Sequence, residues 1–418
     1  MKKFFLGVLI IYAVYAVLIS SYLVLVETPL PAQYIGTEAD PQMFMSEEQL
    51  VLSSELSKWR NVIYFIHTPF EWMIYLFVLL FGLSQLFARW SEKVVKYHLF
   101  QTGLYVILLS CVSFILSYPF KYLSYSISKQ YGISIQTFHS WMKDQFISFW
   151  VGAILLIIVV HVIWFLINKS PKRWWFYTWL LSIPFTLFLM FLQPVVIDPL
   201  YNDFYPIQDK ELEIAVLQMA EQADIPADRV YEVKMSDKTN ALNAYVNGIG
   251  KNLRIVLWDT TLERLTQDEV LFIMAHEMGH YDLHHLRQLL LGTIALSFIG
   301  LFIVGKLYHV TIRKYGNKMN LKHHDLAAIP IILLILSLLS FAASPMSNMV
   351  SRAYEYQADR YAIELTNDIE SAVSTFQRLS SEGLSDVNPP AIVKFFRYTH
   401  PPMVERITQL RKYYEEIN

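Results

Sequence analysis

Cysteine is almost missing from this chain: of 418 residues one, Cys111, is a cysteine. It lies in an apolar run, so an intrachain disulfide and a thiolate zinc cluster are both excluded. Charge is scarce as well. Asp, Glu, Lys and Arg make up 17% of the residues and sum to a net −2, with no basic stripe of the kind a nucleic-acid binder requires. Internal repeats and low-complexity tracts are lacking too, and the nearest thing to a linker is the Pro- and acid-rich stretch 27–57, read here as a partly ordered loop. What fills the chain instead is apolarity. With 54% hydrophobic and 15% aromatic residues, it is far too apolar for an ordinary soluble enzyme and belongs in a membrane.

Nearly charge-free stretches of about 20 residues, the length that crosses a bilayer, recur at 4–26, 62–88, 99–120, 146–167, 174–196, 289–304 and 327–350. The expectation is seven spans. The first follows Lys2 and Lys3, but its apolar run is too long for a signal-peptide h-region and lacks a small-residue cleavage site, so it reads as a retained anchor. His67, Glu71 and His161 fall inside spans, where ionisable groups are functional candidates by default. If Lys2 and Lys3 are inside, then Arg89, Lys93, Lys96, Lys169, Lys172, Arg173, Arg313, Lys314, Lys318 and Lys322 all fall on the same side. That bias places the polar segment after the fifth span on the outer face.

The polar segment reads as a small α+β unit. Residues 211–223 carry apolar positions at helical spacing, with Pro226 beyond them. Short β-type runs follow at 229–233, 244–246 and 254–258, separated by turn-rich stretches such as 247–250. After the seventh span, 351–365, 372–379 and 404–416 read as three helices. The expected organisation is a five-span membrane region (1–196), an α+β zinc-metalloprotease domain (197–288), two further spans (289–350) and a helical part completing that domain (351–418). The fold class is therefore mostly α: about seven transmembrane helices enclosing a chamber, with a small zincin-like α+β unit.

Chemistry enters at residues 276–280, HEMGH. On a helix, histidines four apart stack on one face, so His276 and His280 can share one divalent metal while Glu277 points alongside at a water. Thr266 and Glu269 form a capping box that starts this helix. Residues 270–275 carry no charge, so the two imidazoles and the carboxylate that follow point to a catalytic zinc. Such a zinc takes three protein ligands and leaves one position for water. SRAYEYQAD, from Ser351, supplies Glu355, with Asp359 one turn on to hydrogen-bond a ligand imidazole, and Arg352 to neutralise the carboxylates or bind substrate. Asp282, His284, His285, His323 and His324 are competing ligands.

These residues resemble the type I CAAX prenyl endopeptidases, integral-membrane zinc metalloproteases of the gluzincin kind with seven spans around a chamber. The likeness rests on IDPLYNDF from Ile197, NAYVNG from Asn243, RIVLWDTTLE from Arg254, HEMGH, SRAYEYQAD and THPP from Thr399. It implies one zinc per chain held by His276, His280 and Glu355, with Glu277 as base. It also implies that Asn243, Ala244, Tyr245 and Val246 form the edge strand that pairs with substrate, and that His400 approaches the active site. The oxyanion would then fall to His400, with Tyr245 and Tyr354 as alternatives. The eukaryotic relatives are described with the zinc domain towards the cytosol, opposite to the charge pattern here. HtpX-like membrane proteases share HExxH but lack the five leading spans, and a zinc-binding membrane receptor or transporter would not need Glu277. The expected function is hydrolysis of flexible or membrane-associated peptides in a bacterial cell membrane. Its partners would be peptide substrates and the lipid bilayer, without nucleic acid.

Overall fold

A computed structural model describes residues 2–227, 229–247 and 253–418. The expected turn at 247–250 lies, from residue 248 onward, outside the described residues. The chain opens with α1 (Lys2–Leu25), α2 (Glu47–Leu80), α3 (Leu83–Val94), α4 (His98–Gln130), α5 (Phe138–Lys169) and α6 (Trp174–Leu192). A polar unit follows: β1 (Phe204–Pro206), α7 (Lys210–Gln222), β2 (Val230–Val233), β3 (Ala244–Asn247), β4 (Arg254–Trp258), α8 (Asp259–Arg264) and α9 (Gln267–Asp282). The long helices α10 (His285–Met319) and α11 (Ile329–Thr366) come next, then α12 (Ile369–Glu382), α13 (Ala391–Arg397) and α14 (Met403–Ile417).

Among the described residues seven helices are long and apolar enough to cross a membrane: α1, α2, α4, α5, α6, α10 and α11. Their bounds correct the hydropathy reading in three places. The second span does not run from 62 to 88; it breaks at Gly82, whose φ of 77° is left-handed and open to glycine without strain. Its helix starts far earlier, at Glu47, where Ser46 and Gln49 form a capping box, so part of the supposed loop 27–57 is helical. The seventh span and the helix expected at 351–365 are one unbroken helix of 38 residues with Pro345 inside it.

Polar side chains close one end of the bundle. Ser84 Oγ donates to the Ala327 carbonyl at 2.6 Å, Gln85 to the Met319 carbonyl at 2.7 Å and Trp164 to the His324 carbonyl at 2.9 Å. Beneath these ties a core of Val78, Tyr105, Trp174, Val304, Tyr308 and Ile332 is sealed from solvent. The 35 residues of α10 rise about 50 Å, so this end lies far from the HExxH end of the molecule. Between the spans His67 and Lys121 line a cavity of about 490 Å³, and Glu71 sits 3.9 Å from His67.

The polar unit is a four-stranded sheet in the order β1-β2-β4-β3. β2 and β4 are parallel, and β1 and β3 pair antiparallel at the two edges. Ile255 and Leu257 of β4 meet Met274 and Met278 of α9 in one core. The other flank of α9, through Phe272 and Ala275, packs on Ala362, Ile363 and Phe376 of α11 and α12.

Candidate active site

α9 forms because its start is chemically fixed. Thr266 Oγ1 accepts from the Glu269 N–H at 3.4 Å, and Glu269 Oε2 accepts from the Thr266 N–H at 2.8 Å. Glu269 is buried, and its other oxygen takes Ser374 Oγ at 2.8 Å and Arg378 Nε at 2.9 Å. The cap therefore also ties α9 to α12. Gly279, between the two histidines' turns, lets α11 come close: a Cβ there would sit 3.1 Å from the Tyr361 side chain.

That close approach brings Glu355 of α11 to the two imidazoles. His276 Nε2 and His280 Nε2 are 3.2 Å apart, and each lies 3.4 Å from a Glu355 carboxylate oxygen. One donor atom from each of the three falls within 4.8 Å of the others, the single such group of three metal-ligating side chains among the described residues. Glu355 Oε2 is buried without a hydrogen-bond partner. A buried carboxylate oxygen without a hydrogen bond costs free energy, which a metal ion would offset beyond what the Arg406 guanidinium does from 3.5 Å, and two imidazole nitrogens with one carboxylate suit zinc. The three residues fit a metal ion.

Around them stands a set of supporting groups. His276 Nδ1 is 2.9 Å from Asp359 Oδ1, which leaves Nε2 free to face the metal. Burial alone would lower the pKa of His276, but the bonds to Asp359 and Glu355 outweigh it and push it up to about 9 in the metal-free protein. Arg352 is not beside these carboxylates. Its Nη1 donates to the carbonyls of Lys394, at 3.1 Å, and Tyr398, at 2.6 Å, so it fastens the segment that leads to His400. The guanidinium that meets the carboxylates is Arg406 of α14, with Nε on Asp359 Oδ2 at 2.9 Å and Nη2 3.5 Å from Glu355 Oε2. Sequence reasoning missed Arg406. The available signal was a cation between Val404 and Ile407, two positions on the apolar face of an amphipathic helix.

Glu277 is pushed up in pKa by burial, offset in part by His276 and His280 and by the Val246 backbone N–H. That N–H marks the open edge of the sheet. Trp258 N–H donates to the Asn243 carbonyl at 3.1 Å, and antiparallel pairing alternates from there with Tyr245 opposite Val256. Tyr245 therefore turns its main chain to β4, while Ala244 and Val246 turn theirs outward. Asn243 is anchored inward, its N–H on Thr261 Oγ1 at 2.9 Å. Of the four residues expected on the edge strand, two, Ala244 and Val246, turn main-chain groups away from β4, the Val246 N–H towards Glu277.

His400 Nε2 reaches 3.4 Å from Glu355 Oε1. Of the competing ligands, His285 faces His280 Nδ1 through its own Nδ1 at 3.0 Å and stacks on Tyr354, with ring centroids 4.3 Å apart. It meets His280 on the side away from Glu355 and lies outside the group of three. Asp282 and His284 are exposed, and His323 stacks on His309 at the far end of α10.

The family model for Peptidase family M48 matches residues 206–414, and that for the CAAX prenyl protease N-terminal, five membrane helices, matches 38–203. The chain is 46% identical to the uncharacterized metalloprotease YhfN of Bacillus subtilis (strain 168), covering 99% of this chain and 97% of that one. It is 27% identical to the CAAX prenyl protease 1 homolog of Arabidopsis thaliana, over 87% of each. The crystal structure of S. mikatae Ste24p shares the fold with a TM-score of 0.79 at 21% identity, over 98% of this chain and 97% of that one.

Proposed function

The chain belongs to peptidase family M48 and is an integral-membrane zinc metalloendopeptidase; on that premise we propose that His276, His280 and Glu355 hold one zinc and that Glu277 is the base. The observation that carries this reading is the convergence of two imidazole nitrogens, 3.2 Å apart, on the buried Glu355 carboxylate, each 3.4 Å from one of its two oxygens. When bound by these three residues, zinc would supply a Lewis acid for the scissile carbonyl and would lower the pKa of a water towards about 7. Glu277, with its pKa raised by burial, takes the proton of the attacking water and passes it to the leaving amine. His400 donates to the oxygen that gains charge. Asp359 holds His276 in the tautomer that leaves Nε2 free, and Arg406 balances the carboxylates. Main-chain groups of Ala244 and Val246 align an extended peptide with little sequence preference.

Residues 197–288 and 351–418 together form the catalytic part, on the membrane scaffold of 1–196 and 289–350. Substrates are flexible or membrane-associated peptides, and the CAAX-named relatives add prenylated CAAX-type peptides to those worth assaying. The test is Glu277→Gln. It keeps zinc at one per chain and lowers peptide turnover by roughly 10²–10⁴-fold; near-native turnover in zinc-loaded Glu277→Gln contradicts the assignment.

The membrane is the bacterial cell membrane, with the catalytic part on its outer side. The basic loops that face the cytoplasm by charge sit about 50 Å along α10 from the metal site. With Cys111→Ser, single cysteines at Asp237 and Asn317, both exposed, report orientation. On intact cells an impermeant thiol reagent labels the cysteine at 237 and spares that at 317; the reverse pattern places the site in the cytosol.

A further inference from the structure

A groove of about 440 Å³ opens at the basic end of the bundle, away from the metal site, between α1, α2, α10 and α11. Its walls are apolar, Phe4, Leu79, Leu334 and Ile335 among them, and the exposed Tyr315 and Lys318 stand at its α10 side. Each helix meets it near an end: Phe4 lies in the first turn of α1, Leu80 closes α2, Lys318 precedes the last residue of α10, and Ile331 is in the first turn of α11. From Lys318 back to Thr311, which also lines it, α10 rises about 10 Å. That depth is comparable with the roughly 15 Å of hydrocarbon in one leaflet. An apolar slot that starts at the helix ends and runs inward this far has the shape of an acyl chain with its headgroup outside.

The charge at the mouth narrows the occupant further. Lys318 lines the groove, Lys314 lies with Nζ 5.2 Å from the centre of the Tyr315 ring, and Lys3 directly precedes Phe4. Among the described residues none of these three lysines forms an ion pair. The loops of this end hold two carboxylates, Glu92 and Asp325, against the whole set of cations from Lys2 to Lys322. Asp325 Oδ2 takes the Lys322 N–H at 2.6 Å. The balance is strongly positive, and basic pockets between membrane helices suit anionic headgroups.

We propose that this groove seats one anionic phospholipid, with an acyl chain along the wall between α1 and α10 and the phosphate at Lys318. α1 is tied here to α2 by Phe5, whose ring centre lies 6.0 Å from that of Phe77 and 5.2 Å from that of Phe81. The lipid joins that pair to α10 and α11, so it binds the folded bundle and stabilises it by mass action.

Full-length protein, purified in an uncharged detergent and stripped of lipid, is titrated with dioleoyl phosphatidylglycerol or dioleoyl phosphatidylcholine. The two share their chains and differ in net charge. Phosphatidylglycerol is expected to raise the melting temperature to a plateau, to stay at one phosphorus per chain through gel filtration, and to bind roughly 5- to 30-fold more tightly than phosphatidylcholine, the worth of one or two lysines at an anionic headgroup. Lys318→Gln lowers its affinity about fivefold. Leu334→Trp fills the groove without changing charge and abolishes retention, while Lys172→Gln, in a basic loop that does not line the groove, leaves binding unchanged. Melting without lipid reports whether each variant folds; should Leu334→Trp fail, the Lys314→Gln, Lys318→Gln double variant carries the test by bringing the preference for phosphatidylglycerol near one. Equal affinity of native protein for the two lipids overturns the proposal, since any acyl chain would then cover the groove. A preference that survives in folded Leu334→Trp, or in the double variant, also overturns it and assigns the binding to diffuse attraction by the basic end. Oleate that binds as tightly as phosphatidylglycerol does so too, with a single-chain anion as the occupant.

Discussion

The two helices that meet at the metal site are built differently. α9 has 16 residues, lies in the polar unit and is fixed by its own capping box. α11 has 38 residues; its first half is apolar and crosses the membrane, and its second half carries Glu355 and Asp359. α9 brings both imidazoles and the base on one face by local spacing alone, whereas α11 imports the last carboxylates from the membrane scaffold. α11 can do so because it is the best packed of the spanning helices: 44% of its apolar window is buried, against 6% for that of α6. With the three residues split in this way, a metal held as proposed would be a clasp between scaffold and catalytic unit.

The strongest way to break the clasp is from the α11 side. Glu355→Ala leaves both histidines in place, yet the protein is expected to lose stoichiometric zinc and all measurable turnover, as read by metal analysis and peptide assay. If the variant binds zinc as native protein does, His284 or His285 takes the third position and the comparison collapses.

The next largest effect tests the cross-helix support. Asp359→Asn is expected to weaken zinc binding by about 10- to 100-fold, and it should alter the proton count as well. With His276 pushed up to about 9, that imidazole is protonated near pH 7 in the metal-free protein and must lose its Nε2 proton to bind zinc. Affinity therefore falls as pH falls below about 9, and zinc loading near pH 7 releases a proton, measurable by calorimetry in buffers of different ionisation enthalpy. Asp359→Asn removes a group that raises the value and reduces the release. In metal-free protein the raised His276 stabilises the fold below its ordinary 6.5, and this contribution is lost as pH rises through about 9.

The smallest effect sharpens the α9 side. Thr266→Ala removes one cap bond and is expected to cost about 1 kcal/mol, seen as a lower melting temperature with zinc stoichiometry unchanged. Loss of zinc in this variant would mean that α9 depends on its cap for ligand geometry, and that the two helices are less independent than described.

Much of this architecture is legible in the sequence because its signals are local. Seven charge-poor runs, a capping box at Thr266 and Glu269, and histidines four apart are each properties of one segment. What escaped needed the third dimension. Hydropathy ends a span just before charge begins, at Arg352, but the backbone has no reason to stop there, so α11 runs on to Thr366. Arg406 looks like one more cation of a C-terminal helix until Asp359 is seen against it. Arg352 sits three residues from Glu355 in sequence and so seemed its partner, yet its side chain leaves for the carbonyls of Lys394 and Tyr398. The division of the edge strand into inward and outward residues depends on register with β4, which no single strand encodes.

One zinc clasped between α9 and α11 is a structure that diffraction can see. Anomalous diffraction across the zinc absorption edge, on crystals of the purified full-length protein, tests it most directly. One anomalous peak per chain is expected, bounded by His276 Nε2, His280 Nε2 and a Glu355 carboxylate oxygen at about 2.0–2.2 Å. A peak bound instead at His309 and His323, or one at His276 and His280 that Glu355 does not touch, would contradict it.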